Sequence, residues 1–143
     1  MPRSWWASPE VTEGSAGPEA RFRFSVTTAR AEVAAFAGAL GLVEPGETVE
    51  RVPLTYPARW LADDAVRDWI VGVLGGEALP VHEMQDFAYR APLAVDGTYA
   101  LEVICSVQEG DPPRITIAAE IREGDALIGS ARSSILKIRL GAG

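Results

Sequence analysis

The sequence predicts an α+β domain: a curled antiparallel sheet of about five strands wrapped round one central helix, with a second short helix in the connection that follows. Three observations carry this. The run RFRFSVT, residues 21–27, alternates strictly and is followed at once by a helical pattern. A second amphipathic helix fits the residues from Asp63 to the glycine pair at 75 and 76. After Pro80 every apolar pattern has period two, and turn residues punctuate the runs.

Residues 1–20 mix Pro, Gly, Ser and Glu without a period, which predicts a flexible N-terminal tail ahead of a single domain over 21–141. Trp5 and Trp6 are unusual in such a tail and could dock on the body or on a partner. In the first strand Phe22, Phe24 and Val26 share one face, and Arg21, Arg23 and Ser25 the other. Thr28 can cap the helix that follows. Val33, Phe36, Ala37 and Leu40 form its stripe, and Gly41 can close it in the left-handed conformation. Ala31, Ala34, Ala35, Gly38 and Ala39 leave this helix thin, so it is the one the sheet is expected to wrap.

Pro45, Pro53 and Pro57 rule out one long element over 42–62, where loop and short extended pieces are expected. Asp63 or Asp64 can start the second helix, with Val66, Trp69, Ile70 and Val73 as its apolar stripe. The strands that follow show inward sets Phe87/Tyr89/Ala91, Tyr99/Leu101/Val103/Cys105/Val107 and Ile115/Ile117/Ala119/Ile121. Turns fall at Asp96–Gly97, 110–113 and Gly124–Asp125. The last run, Leu127 to Leu140, changes apolar parity between Ala131 and Leu136, which predicts a bulge or strong coil near Ser133 and Ser134.

Composition narrows the function. A chain of 143 residues with 48% hydrophobic and 23% charged residues fits one globular domain. No apolar run reaches the ~18 residues of a membrane span. The formal charge, 13 − 20 = −7, argues against nucleic-acid and anionic-membrane partners. The single cysteine, Cys105, can form no internal disulfide, and MPRSWWASPE lacks the apolar core of a signal peptide, so the expected compartment is the cytoplasm.

There is no nucleophile elbow, phosphate loop or CxxC, and one histidine cannot build a multi-histidine metal site. No metal or other cofactor is expected. What remains is carboxylates and His82. His82 lies in PVHEMQDF beside Glu83, Gln85 and Asp86; it can serve as a general base, orient a carbonyl, or simply pin the start of a strand. Glu44 and Glu47 flank Pro45 and Gly46 in FAGALGLVEPGE, a loop that follows a helix, where a carboxylate is either solvated or tuned for acid–base work. Cys105 is in phase with Val103 and Val107 and reads as a small core residue. Tyr56, Trp60 and Trp69 can line an acyl pocket or fill core.

The order of elements and several strings together resemble the MaoC-like dehydratases of the hotdog fold. The strings are RFRFSVTTARAEVAAFAGALG, VPLTYP, VHEMQDFAYRAPLAVDGTYALEV and GDALIGSARSSILKIRL, within residues 21–140. The resemblance is strongest to the N-terminal or separate non-catalytic subunit type of (R)-hydroxyacyl dehydratase. Catalytic members carry Gly-Asp-x-Asn-Pro-x-His after the first helix, and their aspartate and histidine handle the proton and water of enoyl-thioester hydration. Here Gly41 keeps its place, Leu42 stands for the aspartate, Glu44 and Pro45 for Asn-Pro, and Glu47 for the histidine.

The resemblance therefore implies an acyl-thioester-binding subunit that lacks its own Asp/His pair. Its ligand would be an acyl-CoA or acyl-carrier-protein thioester. It would form a homodimer, or a heterodimer with a catalytic hotdog subunit. Phe36, Leu40, Tyr56, Trp60, His82 and Gln85 are the residues expected to line the substrate. One alternative is an acyl-CoA thioesterase using Glu44, Glu47 or Asp63 as base or nucleophile. Another is a non-enzymatic acyl-thioester-binding or assembly module.

Overall fold

The computed structural model describes residues 4–5, 10–14 and 17–141. Five long antiparallel strands form the sheet: β3 (Gly17–Thr27), β4 (Ala78–Tyr89), β5 (Thr98–Gln108), β6 (Arg114–Glu123) and β7 (Ala126–Arg139). Two short strands, β1 (Ser4–Trp5) and β2 (Glu10–Gly14), both pair with β3, and the sheet order is β1-β3-β5-β6-β7-β4 with β2 off that path. The first long strand thus starts four residues before the expected domain boundary at Arg21, and residues 10–14 pair with it. Trp5 lies opposite Phe24 in the register, and Trp6 falls outside the described residues.

In β3, β5 and β6 the alternation read from the sequence is the alternation of burial, whereas on β4 Phe87 and Tyr89 are half-buried and Ala91 is exposed beyond the strand's end. Phe22, Phe24 and Val26 of β3, Leu101, Val103 and Cys105 of β5, and Ile115, Ile117 and Ile121 of β6 all face one core. Burying a side chain of this size contributes roughly 1.5–3 kcal/mol, so these three strands supply most of the driving force for closing the sheet.

Three helices connect β3 to β4: α1 (Arg30–Ala39), α2 (Ala58–Leu61) and α3 (Asp64–Leu74). The sheet wraps a helix as expected, but the helix is α3. It packs against both β3 and β4, the two ends of the five-strand run. The alanine-rich α1 buries Val33 and Ala37 and packs Ala34 and Phe36 partly against the core, and Ala31, Ala35, Gly38 and Ala39 are exposed. A thin helix has little apolar surface to gain by entering the cradle. By contrast α3 buries Val66 and Leu74 and adds the large, partly buried side chains of Trp69, Ile70 and Val73.

The ends of the helices differ in the same way. Asp63 caps α3 as predicted, its carboxylate accepting the amide of Ala65 at 2.9 Å, and Gly75 ends it at φ +63°. Thr28 does not cap α1. Its hydroxyl donates to the carbonyl of Ala94 and accepts the amide of Gly97 at 2.8 Å, tying the end of β3 to the loop before β5. The cap of α1 comes from across that contact: Asp96 accepts the amide of Arg30 at 2.9 Å. Gly41 takes φ +73°, the left-handed closure expected of it. The short helix α2 was not legible, because three prolines in 42–62 masked a single turn that begins after Pro57.

The predicted bulge also moves. Ser133 and Ser134 of β7 stay in register with Ile117 and Thr116 of β6, and the irregularity falls on the opposite strand, between His82 and Met84 of β4. The residue pushed out is Glu83, whose carboxylate receives two hydrogen bonds from Arg114 at 2.7 and 2.8 Å. Consecutive burial of Ser133 and Ser134 is therefore accommodated by β4 gaining a residue.

Candidate functional site

The candidate residues fall into three groups. The first is the loop after α1. Leu42 is exposed, as are Glu44 and Glu47. The loop closes on itself: Glu47 Oε1 accepts the backbone amide of Glu44 at 2.9 Å, and the Glu47 amide donates to the Glu44 carbonyl at 3.1 Å. One carboxylate thus serves as a turn clasp. Leu40, at the end of α1, is 53% exposed.

The second group is an aromatic cluster under α1. Phe36 meets the Tyr56 ring edge-on at 5.2 Å, and Tyr56 meets Trp60 edge-on at 5.7 Å. Tyr56 is fully buried, yet its hydroxyl accepts a hydrogen bond from Arg59 at 2.8 Å. Burial pushes the Tyr56 phenol up, the nearby Arg59 guanidinium opposes this, and Glu32 adds to the rise. Arg59 also stands 4.0 Å from Glu32. Beside this cluster a polar crevice of about 160 Å³ is lined by Thr27, Glu32, Arg59, Trp60 and Asp63 among others. The structure thus unites Phe36, Tyr56 and Trp60 and brings Asp63 to the same neighbourhood. Arg59 and Glu32 were missed by sequence reasoning, which had no reason to single out two ordinary surface charges.

The third group lies on β4. His82 is exposed, and its Nε2 lies 3.1 Å from Ser133 Oγ. Gln85 is half-buried and opposite Ser133 in the ladder. Ser133 itself is buried, so His82 is held at the bulge by a partner inside the sheet. Beyond β4 no described strand continues the sheet, and Leu79, Val81 and Met84 on it are 44–49% exposed.

Cys105 is buried, and desolvation pushes its thiol up to about 12, so it is a core residue without nucleophilic character near neutrality. Among the described residues no group of three or more His, Cys, Asp or Glu side chains could hold a metal ion. No helix among them is long and apolar enough to cross a membrane.

No family model matches the chain, and no curated protein matches it. Solved structures do. The chain resembles a chain of the C-terminally truncated HadBC (3R-hydroxyacyl-ACP dehydratase) complex from Mycobacterium tuberculosis, at TM-score 0.59 and 15% identity, over 80% of this chain and 93% of that one. It resembles HtdX from the same organism at TM-score 0.62 and 19% identity, over 82% of this chain but 49% of the other, so it spans about half of HtdX. A hot-dog-like protein from Thermanaerovibrio acidaminovorans matches at TM-score 0.60 and 11% identity, over 83% and 81% of the two chains. Likeness at such identities is a statement about architecture: this chain has the hotdog fold.

Proposed function

We propose that the chain is an acyl-thioester-binding hotdog subunit of an (R)-specific hydroxyacyl dehydratase or enoyl hydratase, working with a partner that supplies the acid–base pair. The observation that carries this is the loop after α1. Leu42 has no proton to give or accept, Glu47 is engaged in clasping its own turn, and the one histidine of the chain is on β4 beside Ser133. Removing a single proton-transfer group typically costs 10²–10⁴ in rate, and here both positions of the pair are altered. The fold likeness to a chain of a hydroxyacyl-ACP dehydratase complex supports the choice of chemistry.

The reading assigns the partner to the β4 edge. A twelve-residue edge strand with Leu79, Val81 and Met84 in solvent is a template for a further strand, and a second hotdog sheet would cover it. The partner would be a second copy or a catalytic homologue. The test is hydration of crotonyl-CoA: none by the purified chain, and activity when a hotdog subunit with an intact Asp/His loop is added. Turnover by the chain alone, or inertness with every such companion, would refute the reading.

One observation favours a second reading, an acyl-CoA thioesterase. Asp63 and Glu32 line one crevice with Arg59, so two carboxylates and a cation share a small polar space. Release of free thiol from an acyl-CoA panel, lost in Asp63→Asn, would support it; Asn retains the helix cap, so loss would not reflect unfolding.

A further inference from the structure

The open end of the cradle differs in chemistry from its interior. Along β7, Ala131, Ser133 and Ile135 face the core, and the same alternation places half-buried Lys137 and exposed Arg139 on that face at the strand's end, where both line a groove. At this point β7 outruns its neighbour: the last ladder pair with β6 is Leu136 with Arg114, followed by a hydrogen bond from the Lys137 amide to Pro113. The two cations therefore stand at the mouth of a groove of about 500 Å³ between the sheet and α3. Trp69 and Val73 of α3 and Val107 of β5 give it apolar walls.

Two further facts mark this mouth. Neither Lys137 nor Arg139 forms an ion pair among the described residues, although the chain carries a net charge of −7 and Glu109 lies on the same rim. Gly72, in the middle of α3, also lines the groove, and a Cβ there would meet nothing within 4 Å. A mid-helix glycine costs roughly 1 kcal/mol relative to alanine, and no neighbour requires this one.

We propose that this groove binds a single-chain amphiphile with an anionic head. The chain would lie along Trp69, Val73 and Val107, and a carboxylate or phosphate would sit between Lys137 and Arg139, whose Cα atoms are ~6.6 Å apart by strand geometry. The volume lies within the ~300–1,000 Å³ of small-molecule sites. No residue of α1 or of the 41–47 loop lines the groove, so the inference stands whether or not the acyl-thioester reading does.

The experiment is calorimetric titration of the full chain with sodium decanoate and with decyl phosphate, each below its micellar concentration, and with decan-1-ol as the uncharged control. At least one of the two anions is expected to saturate at about one per chain and to bind about tenfold or more tightly than the alcohol, the difference a charge-assisted hydrogen bond provides. Decanoate as the better ligand points to free fatty acids, and decyl phosphate to phosphate-headed lipids. The double substitution Lys137→Gln with Arg139→Gln should remove that advantage while leaving the weak alcohol binding as it was. Gly72→Leu should abolish binding of all three probes without lowering the melting temperature. Anions binding no better than decanol, a double variant that binds them as before, or binding retained in Gly72→Leu at an undiminished melting temperature would overturn the proposal. If the cations only blunt the strand end, their replacement would promote self-association and the titrations would show no anion preference.

Discussion

The two long helices of this domain are almost equal in length, ten residues in α1 and eleven in α3, yet they occupy opposite situations. The sheet closes on α3, whose stripe of Val66, Trp69, Ile70, Val73 and Leu74 joins the core. The sheet leaves most of α1 exposed, with the 41–47 loop at its end. Side-chain volume on one face separates them. Helix placement in a cradle follows the apolar area a helix can bury, and thinness alone does not draw it in.

The largest effect that would break this comparison is a core truncation. Leu74→Ala on α3 should cost about 2–4 kcal/mol in urea unfolding, whereas Ala35→Lys on the exposed face of α1 should change stability by no more than ~0.5 kcal/mol. Equal costs, or the reverse order, would mean that the wrong helix has been placed inside.

Next in size is an alkaline effect in the sheet wall around α3. Desolvation raises the Cys105 thiol from 9.0 to about 12 and the Tyr89 phenol from 10.0 to about 12. Between the unfolded and folded values only the unfolded chain loses these protons, so stability is full below about pH 9 and falls as pH rises towards 12. The slope is up to roughly 1.4 kcal/mol per pH unit for each group. Thermal melts from pH 8 to 11 should show this, and Cys105→Ala should flatten the fall between pH 9 and 10, where the phenol contributes little.

How α1 is held gives a smaller prediction. Its cap is Asp96, from the loop before β5, so Asp96→Ala should cost about 1 kcal/mol, plus the extra strain of alanine, which tolerates φ +61° less well than aspartate, while Asp96→Asn should cost little. Hydrogen exchange localised to the first turn of α1 would identify the lost cap.

That cap shows where sequence reading stops. The strands were legible because their burial has period two in a chain with no long polar insertions. The cap of α3 was legible because Asp63 is adjacent to its own helix. Thr28 is equally adjacent to α1, but the fold brings Gly97 and Ala94 to its hydroxyl, and a contact 66 or more residues away leaves no local pattern. The bulge was legible as an anomaly in β7 and misplaced by one strand, since a register shift belongs to a pair and sequence shows one member at a time. At the candidate site, Tyr56 and Trp60 of the expected aromatic set lie together with Phe36, while Trp69 lines a separate groove. The cluster's polar partners Arg59 and Glu32, the Ser133 contact of His82, and the place of Lys137 and Arg139 on the rim of a groove all depend on which elements are neighbours.

The smallest expected effect is at the β4 bulge. Glu83 is surface-exposed, and its hydrogen bonds from Arg114 hold its carboxyl below the usual range. The pair's small contribution is present above the ordinary carboxylate pKa and fades as pH falls through the lowered value. Glu83→Gln should therefore leave the neutral melting temperature within the scatter of surface substitutions. A large loss would show that the bulge depends on the ion pair and not on the burial of Ser133 and Ser134.

Native-state hydrogen exchange tests most directly whether the sheet closes over α3 and leaves α1 and its following loop outside. Amides in the central turns of α3 should exchange only through global unfolding, together with those of β5 and β6, while the C-terminal half of α1 and residues 41–47 should exchange through local openings. Slow exchange in α1 with fast exchange in α3 would contradict this placement.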